Sequence, residues 1–226
     1  TEMYMGELEG IIGTKPLCFA SFPVATVATS YSATNGVTDS AAAGTALATG
    51  QKTKNHTIGM DTERKEAIYS VAAKAKQAGK KVGITTSVSI DHATPASFYA
   101  HQPERNMYYE IACEIPKAGF DLYAGAGFLE PVSKKNPEAI NVYDLLDKTG
   151  YVVARGYEQF NKKYDKASKM VLTAVEDADQ ESIPFAIDRK PSDLTLSQIT
   201  ESAIRFLTKD NDDKGFFLMV EGGKID

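Results

Sequence analysis

The sequence holds no tryptophan, three histidines and two cysteines among its 226 residues. Cys18 and Cys113 stand far apart, with neither a CxxC pair nor a Cys/His ladder, which excludes a structural zinc finger and a disulfide-built scaffold. The two thiols either pair in an oxidising compartment or serve as small buried hydrophobes, and the buried-thiol reading is favoured. No apolar run approaches the roughly 20 residues that span a bilayer. No signal-peptide pattern opens the chain, and there is no internal repeat or low-complexity tract. Positive charge is also in deficit: 25 Lys plus Arg stand against 30 Asp plus Glu, for a net charge of −5. That balance disfavours a duplex nucleic-acid surface, and no nucleic-acid partner is expected.

What remains is ordinary globular composition, 42% hydrophobic and 24% charged, with a length that suits one large domain. Phe22–Ser30 reads as strand-like or extended, and Thr34-Asn-Gly36 as a turn. Ser40 opens a small, Ala-rich stretch to Thr49 that suits a tightly packed helix. Between Lys65 and Ala78 the apolar residues Ala67, Ile68, Val71, Ala72, Ala75 and Ala78 keep helical spacing, and Gly79 closes the run. Lys81–Ser89 then reads as a buried strand. Helix followed by strand, repeated, predicts an α/β fold: a layered α/β/α sandwich around a mostly parallel sheet. The text from 121 to 190 becomes Lys-rich and loop-like and reads as a peripheral insert in a single domain over 1–226. Within it, Leu145-Leu146 ends a helix and Tyr151–Ala154 forms a strand. Thr195-Leu-Ser-Gln198 matches a capping box for a helix to about Thr208, with Leu196, Ile199, Ala203, Ile204 and Leu207 on one face. Gly215–Val220 is a short buried strand, and the chain ends six residues later, which reads as an incomplete domain.

Three places carry candidate chemistry. In Val37-Thr-Asp-Ser-Ala-Ala-Ala-Gly-Thr45 a serine occupies the first turn of a helix, where the dipole and unpaired N–H groups favour an anion and stabilise an alkoxide. The small residues 41–44 let that helix end approach other backbone or metal ions. On spacing alone, Asp39 or Ser40 as a simple N-cap is the better reading. Asp91-His-Ala-Thr-Pro95 follows a predicted buried strand, with His101 and Arg105 downstream. Asp91, His92 and Thr94 suit hard or borderline cations, and Arg105 has the planar fork that clamps phosphate. Read singly, they are turn, cap and surface residues. Glu221-Gly-Gly-Lys-Ile-Asp226 brings two carboxylates after a strand, where α/β proteins place sites; the plain alternative is a polar loop. Gly125 and Gly127 have the wrong spacing for a dinucleotide fingerprint and read as a turn, and His56 reads as a loop residue.

Taken in order, these segments resemble the alkaline phosphatase family. The Asp39-Ser40 block resembles its nucleophile signature. Val82-Gly-Ile-Thr-Thr86, His92-Ala-Thr-Pro-Ala96, His101 and Arg105 resemble its next block. Asp121-Leu-Tyr-Ala-Gly-Ala-Gly-Phe128 resembles its Gly-rich segment, and Phe217–Asp226 its third block. The resemblance implies a metal-dependent phosphomonoester hydrolase acting on small phosphate monoesters, with inorganic phosphate as product. Ser40 would be the nucleophile, forming a phosphoserine and touching one of two zinc ions. Asp39 would orient Arg105, and Arg105 would hold two phosphate oxygens. Thr94 and Glu221 would bind one magnesium, with His92 close behind, and Asp226 would bind the other zinc. Displacement at phosphorus needs charge stabilisation and in-line positioning, which suits such a set.

The family carries a metal-bridging Asp upstream of the nucleophile and further His and Asp zinc ligands beyond the Asp226 position. Their absence here leads to the expectation of a truncated, zinc-poor, inactive fragment of an active parent. The resemblance further implies a possible homodimer and a periplasmic or extracellular location. Two alternatives stay open. One is a related phosphodiesterase, sulfatase or phosphomutase, which would usually carry Thr or a modified Cys in place of Ser40 and lack the Arg105 arrangement. The other is a non-catalytic α/β binding domain whose motifs are caps and turns.

Overall fold

The protein is described by a computed structural model covering residues 21–176, 178–210 and 213–225. Among the described residues five parallel strands form one sheet: β1 (Lys81–Thr86), β2 (Leu122–Ala124), β3 (Tyr151–Arg155), β4 (Lys169–Thr173) and β5 (Phe216–Glu221), in the order β3-β4-β2-β1-β5. The helices are α1 (Ser40–Thr49), α2 (Val71–Gln77), α3 (Ala93–Ala96), α4 (Tyr108–Ala112), α5 (Ile115–Ala118), α6 (Val142–Lys148), α7 (Gly156–Lys163) and α8 (Leu196–Thr208).

The period-two alternation of a strand splits its side chains between two cores. Val82 and Ile84 of β1, Tyr123 of β2 and Val171 of β4 join Ala41, Ala72, Ile111, Val142 and Leu146 on one face. Leu122 and Ala124 of β2, with Met170 and Leu172 of β4, join Phe160, Ile199, Ala203, Phe206 and Leu207 on the other. Helices therefore cover both faces, as a parallel sheet requires, and the expected α/β/α layering is what the chain adopts.

The segment 121–190 is not peripheral. It supplies β2, β3 and β4, and its Leu122, Tyr123, Met170 and Val171 are fully buried. Its lysines lie in the loops, on α6 and α7 and at the start of β4, and the strands are too short to stand out against them. Three smaller expectations change as well. No ladder forms within 22–30. Helix α2 begins only at Val71, because Ala67 bridges Met60 in antiparallel fashion and the Asp61 carboxylate accepts the N–H groups of Lys65 and Glu66. Among the described residues strand β5 pairs with β1 alone and is half-buried, with Phe216 and Val220 exposed. The Thr195 capping box forms as expected, with reciprocal bonds between Thr195 and Gln198. On α8 the buried stripe takes Phe206, and Ile204 faces outward. Cys113 is half-buried, and Cys18 lies outside the described residues.

Candidate active site

The site is built where β1 and β5 end. After β4 the chain returns to the far side of β1, so the loops that leave β1 and β5 flank the point where strand order reverses, which is where α/β sheets bind ligands. The loop after β1 leads into α3, and α3 packs against α1, β1 and β5. That packing depends on Gly44. A Cβ there would lie 2.8 Å from Ser97 Oγ and 3.3 Å from Thr94 Cα, so only glycine lets α1 come this near to the start of α3.

Both readings of Asp39 hold at once. It is the N-cap of α1, its Oδ1 accepting the Ala42 N–H at 3.0 Å, and its Oδ2 faces the site. Oδ2 accepts from an Arg105 NH1 hydrogen at 3.2 Å and from the His56 N–H at 3.1 Å, with His56 Nδ1 at 3.4 Å. Burial pushes the Asp39 carboxyl up, but the N–H groups of Ala42 and His56 and the Arg105 guanidinium outweigh it and hold the group below its usual range. Asp39 is thus anionic and fixes one edge of Arg105. Ser40, the next residue, is exposed at the first turn of the ten-residue helix α1, where the helix presents its positive end.

The other edge of Arg105 meets His92, with NH2 to Nε2 at 3.4 Å. Guanidinium has no acceptor, so a hydrogen bond here requires Nε2 to carry no proton. His92 is the N-cap of α3 but makes no side-chain capping bond. Thr94 lies in the first turn of α3 and is partly exposed. One residue before His92, Asp91 is fully buried, and its Oδ2 accepts the Leu129 N–H at 2.9 Å. It thereby ties the Gly-rich loop after β2 to the start of α3. Burial pushes the Asp91 carboxyl up to about 7, against the pull of those N–H groups.

Glu221 ends β5. Its Oε2 accepts the Thr86 hydroxyl at 2.6 Å, and its carbonyl accepts the Ser87 N–H at 3.0 Å, so the end of β1 aims the carboxylate. The Gly222-Gly223 pair then passes against Val88, and a Cβ on Gly223 would lie 2.5 Å from Val88 Cγ1.

Arg105 is therefore in contact with both Asp39 and His92, with Ser40 next to Asp39 in the chain. Thr94 joins the assembly through the α1–α3 contact, and Glu221 through Thr86 and the β5–α3 packing. Asp226 lies outside the described residues. Sequence reasoning missed Thr86, Arg64 and Glu104, and it treated His56 as a bystander. Thr86 sits at the end of a legible strand, where a hydroxyl signals a possible partner for an acidic neighbour. No local signal marks the other three.

For a magnesium ion the donor chemistry fits. Thr94 offers a hydroxyl and Glu221 a carboxylate already aimed by Thr86, both hard oxygen ligands. For zinc it does not. No group of three or more His, Cys, Asp or Glu able to hold a metal is found among the described residues, and Ser40 alone represents the expected zinc ligands there. No helix of the described residues is long and apolar enough to cross a membrane.

The family model described as Alkaline phosphatase matches residues 2–125 and 138–226. Among curated relatives, alkaline phosphatase 4 of Bacillus subtilis (strain 168) is 37% identical over 196 residues, covering 84% of this chain and 40% of that protein. The tissue-nonspecific alkaline phosphatase isozyme of Rattus norvegicus is 27% identical over 252 residues, covering 91% of this chain and 47% of that protein. The alkaline phosphatase of the Antarctic bacterium TAB5 superposes with a TM-score of 0.81 at 29% identity, over 98% of this chain and 63% of that one. A variant of the TAB5 enzyme solved with Mg bound superposes with a TM-score of 0.80 at 27% identity, over 97% of this chain and 60% of that one. The chain spans less than half the length of these two curated relatives.

Proposed function

The chain belongs to the alkaline phosphatase family, and from that premise we propose that its site hydrolyses phosphate monoesters through a phosphoserine on Ser40. The observation that supports this most is the Asp39–Arg105 pair at 3.2 Å, set beside a serine at the positive end of a helix. A fork held at one edge by a carboxylate and at the other by His92 still offers N–H groups to two oxygens of a tetrahedral phosphate, in the planar arrangement that phosphate matches. The α1 dipole and N-terminal N–H groups favour the same anion and stabilise the serine oxygen as its proton leaves.

The reaction runs in two displacements. Ser40 Oγ attacks phosphorus as its proton leaves, the P–O bond to the leaving group breaks, the departing oxygen takes up a proton and leaves as the alcohol, and the phosphoryl group becomes esterified to Ser40. Water then attacks phosphorus, the P–Oγ bond breaks, a proton given up by the water restores the Ser40 hydroxyl, and inorganic phosphate leaves. Arg105 holds the equatorial oxygens in both steps, and Asp39 keeps it in line. Thr94 and Glu221 would hold magnesium, with His92 behind them. Held there, it would supply positive charge to stabilise charge developing on oxygen. The described residues do not assemble a zinc site, and no step is derived through zinc.

The test is turnover of a chromogenic phosphate monoester by the purified, metal-supplemented protein. Ser40→Ala is expected to lower kcat by about 10³-fold or more, and Arg105→Ala to lower kcat/KM by about 10²-fold. Turnover unchanged by Ser40→Ala would remove the serine from its role.

A further inference from the structure

Two non-glycine residues beside the site hold left-handed backbone, His56 at φ 72° and Arg64 at φ 60°. Such backbone persists only where its surroundings over-determine it. Beside the bonds from the Arg64 N–H to the Asp61 carbonyl and from the His56 N–H to Asp39, both positions are held by the Arg64 side chain. Its Nε–H donates to Thr57 Oγ1 at 3.0 Å, an NH2 hydrogen donates to the Asn55 carbonyl at 3.2 Å, and NH1 pairs with the Glu104 carboxylate. One guanidinium therefore grips the residues on both sides of His56 and the residue just before Arg105.

These contacts close a ring. The His56 N–H donates to Asp39 Oδ2, Asp39 Oδ2 accepts from Arg105, and Arg105 follows Glu104 in the chain. Glu104 pairs with Arg64, and Arg64 returns to the loop that carries His56. The Asn55 side chain adds a bond from Nδ2 to the Val37 carbonyl at 3.0 Å, just ahead of the nucleophile helix. Thr57 is fully buried, and its carbonyl accepts the Thr45 hydroxyl of α1 at 3.2 Å. The loop is thus anchored to α1, and the Arg105 segment is anchored to the loop through Arg64. A rigid fork can serve three acceptors at fixed angles; a lysine in its place would offer a point charge.

We infer that Arg64 is a positioning residue, setting the Arg105 guanidinium for its grip on phosphate; this rests on the phosphate-site reading above. Arg64 touches neither Ser40 nor Arg105 directly and acts through Glu104 on one side and the His56 loop on the other.

Side-chain guanidinium NMR of the 226-residue chain tests this without turnover. In the native chain the Arg105 Nη hydrogens, held by Asp39 and His92, are expected to exchange slowly with water. Both Arg64→Ala and Arg64→Lys are expected to lose that protection while the β1 amides stay protected. If Arg64→Ala also loses β1 protection, Arg64→Lys decides the matter. In the metal-supplemented protein both variants should weaken inhibition by inorganic phosphate about tenfold and raise KM more than they lower kcat. Adding Arg64→Ala to Arg105→Ala should cost nothing beyond Arg105→Ala alone. Fast exchange of the Arg105 Nη hydrogens in the native chain, retained protection in Arg64→Lys, or an additive loss in the double variant would each overturn the inference. If Arg105→Ala leaves phosphate binding unchanged, it is the phosphate-site reading that fails.

Discussion

At the residue scale, the site is organised by carboxylates that differ in what surrounds them. Asp39 meets a cation and two N–H groups and stays anionic; Asp91 is buried with no cation beside it among the described residues, only the Ser89 hydroxyl and N–H groups, and its carboxyl rises to about 7. That difference has a measurable consequence. On raising pH, the unfolded chain releases the Asp91 proton near the ordinary 3.8, whereas the folded chain keeps it until about 7. The folded state binds more protons between those values, so Asp91 costs stability progressively across that window and by a constant amount above it, on the order of 4 kcal/mol. Asp91→Asn keeps an oxygen for the Leu129 N–H and removes the titration. Urea unfolding with a chelator present is expected to show the variant more stable than the parent at pH 8 and little changed near pH 4. Equal stability differences at both pH values would contradict the assignment. At this scale the sequence was partly legible. Asp39, Ser40, His92, Thr94 and Arg105 lie in two short segments whose residue types already match phosphate and cation chemistry. His56, Arg64 and Glu104 are brought together by loop closure and by left-handed backbone at residues other than glycine, and neither leaves a mark on local spacing.

At the element scale, the decisive contact is α1 against α3. Alanine would be the better helix former at position 44 by about 1 kcal/mol. A Cβ there meets Ser97 Oγ at 2.8 Å, and that hydroxyl is engaged with the Ala93 and Ala41 carbonyls at 2.8 and 3.3 Å, so it cannot simply swing away. Overpacking of this kind costs about 1–3 kcal/mol, enough to reverse the propensity gain. Gly44→Ala is therefore expected to lower the thermal midpoint, and to lower activity further by pushing Thr94 away from α1. A raised midpoint with full activity would show that α3 has room to move. Helix α1, the capping box of α8 and the strand at Tyr151 were legible because caps, spacing and composition agree there. Helix α2 was drawn too long, since Ala67 and Ile68 keep helical spacing while the Asp61 carboxylate folds their segment into a turn. The physical lesson is that a side-chain acceptor for two successive N–H groups competes with the first turn of a helix.

At the scale of the whole molecule, the parallel sheet places the site by its topology. The apolar strands predicted an α/β sandwich, but the order β3-β4-β2-β1-β5 was not legible, because pairing between distant strands leaves no trace in local text. The segment 121–190 shows the cost of that. Three short strands hidden among lysines looked peripheral, yet Leu122 is fully buried between β1 and β4. Leu122→Ala is expected to destabilise the chain by about 2–5 kcal/mol, as an interior cavity does, measured by chemical denaturation. A loss below about 1 kcal/mol, typical of surface sites, would return the segment to the periphery.

All of this converges on the oxygen of Ser40. The most direct measurement is to mix the metal-supplemented protein with a phosphate monoester, quench in acid and map the retained phosphoryl group by peptide mass spectrometry. The account predicts one phosphorylated peptide with the group on Ser40, absent from Ser40→Ala and depleted in Arg105→Ala. Ester hydrolysis with the phosphoryl group on another residue, or undiminished hydrolysis by Ser40→Ala, would contradict it.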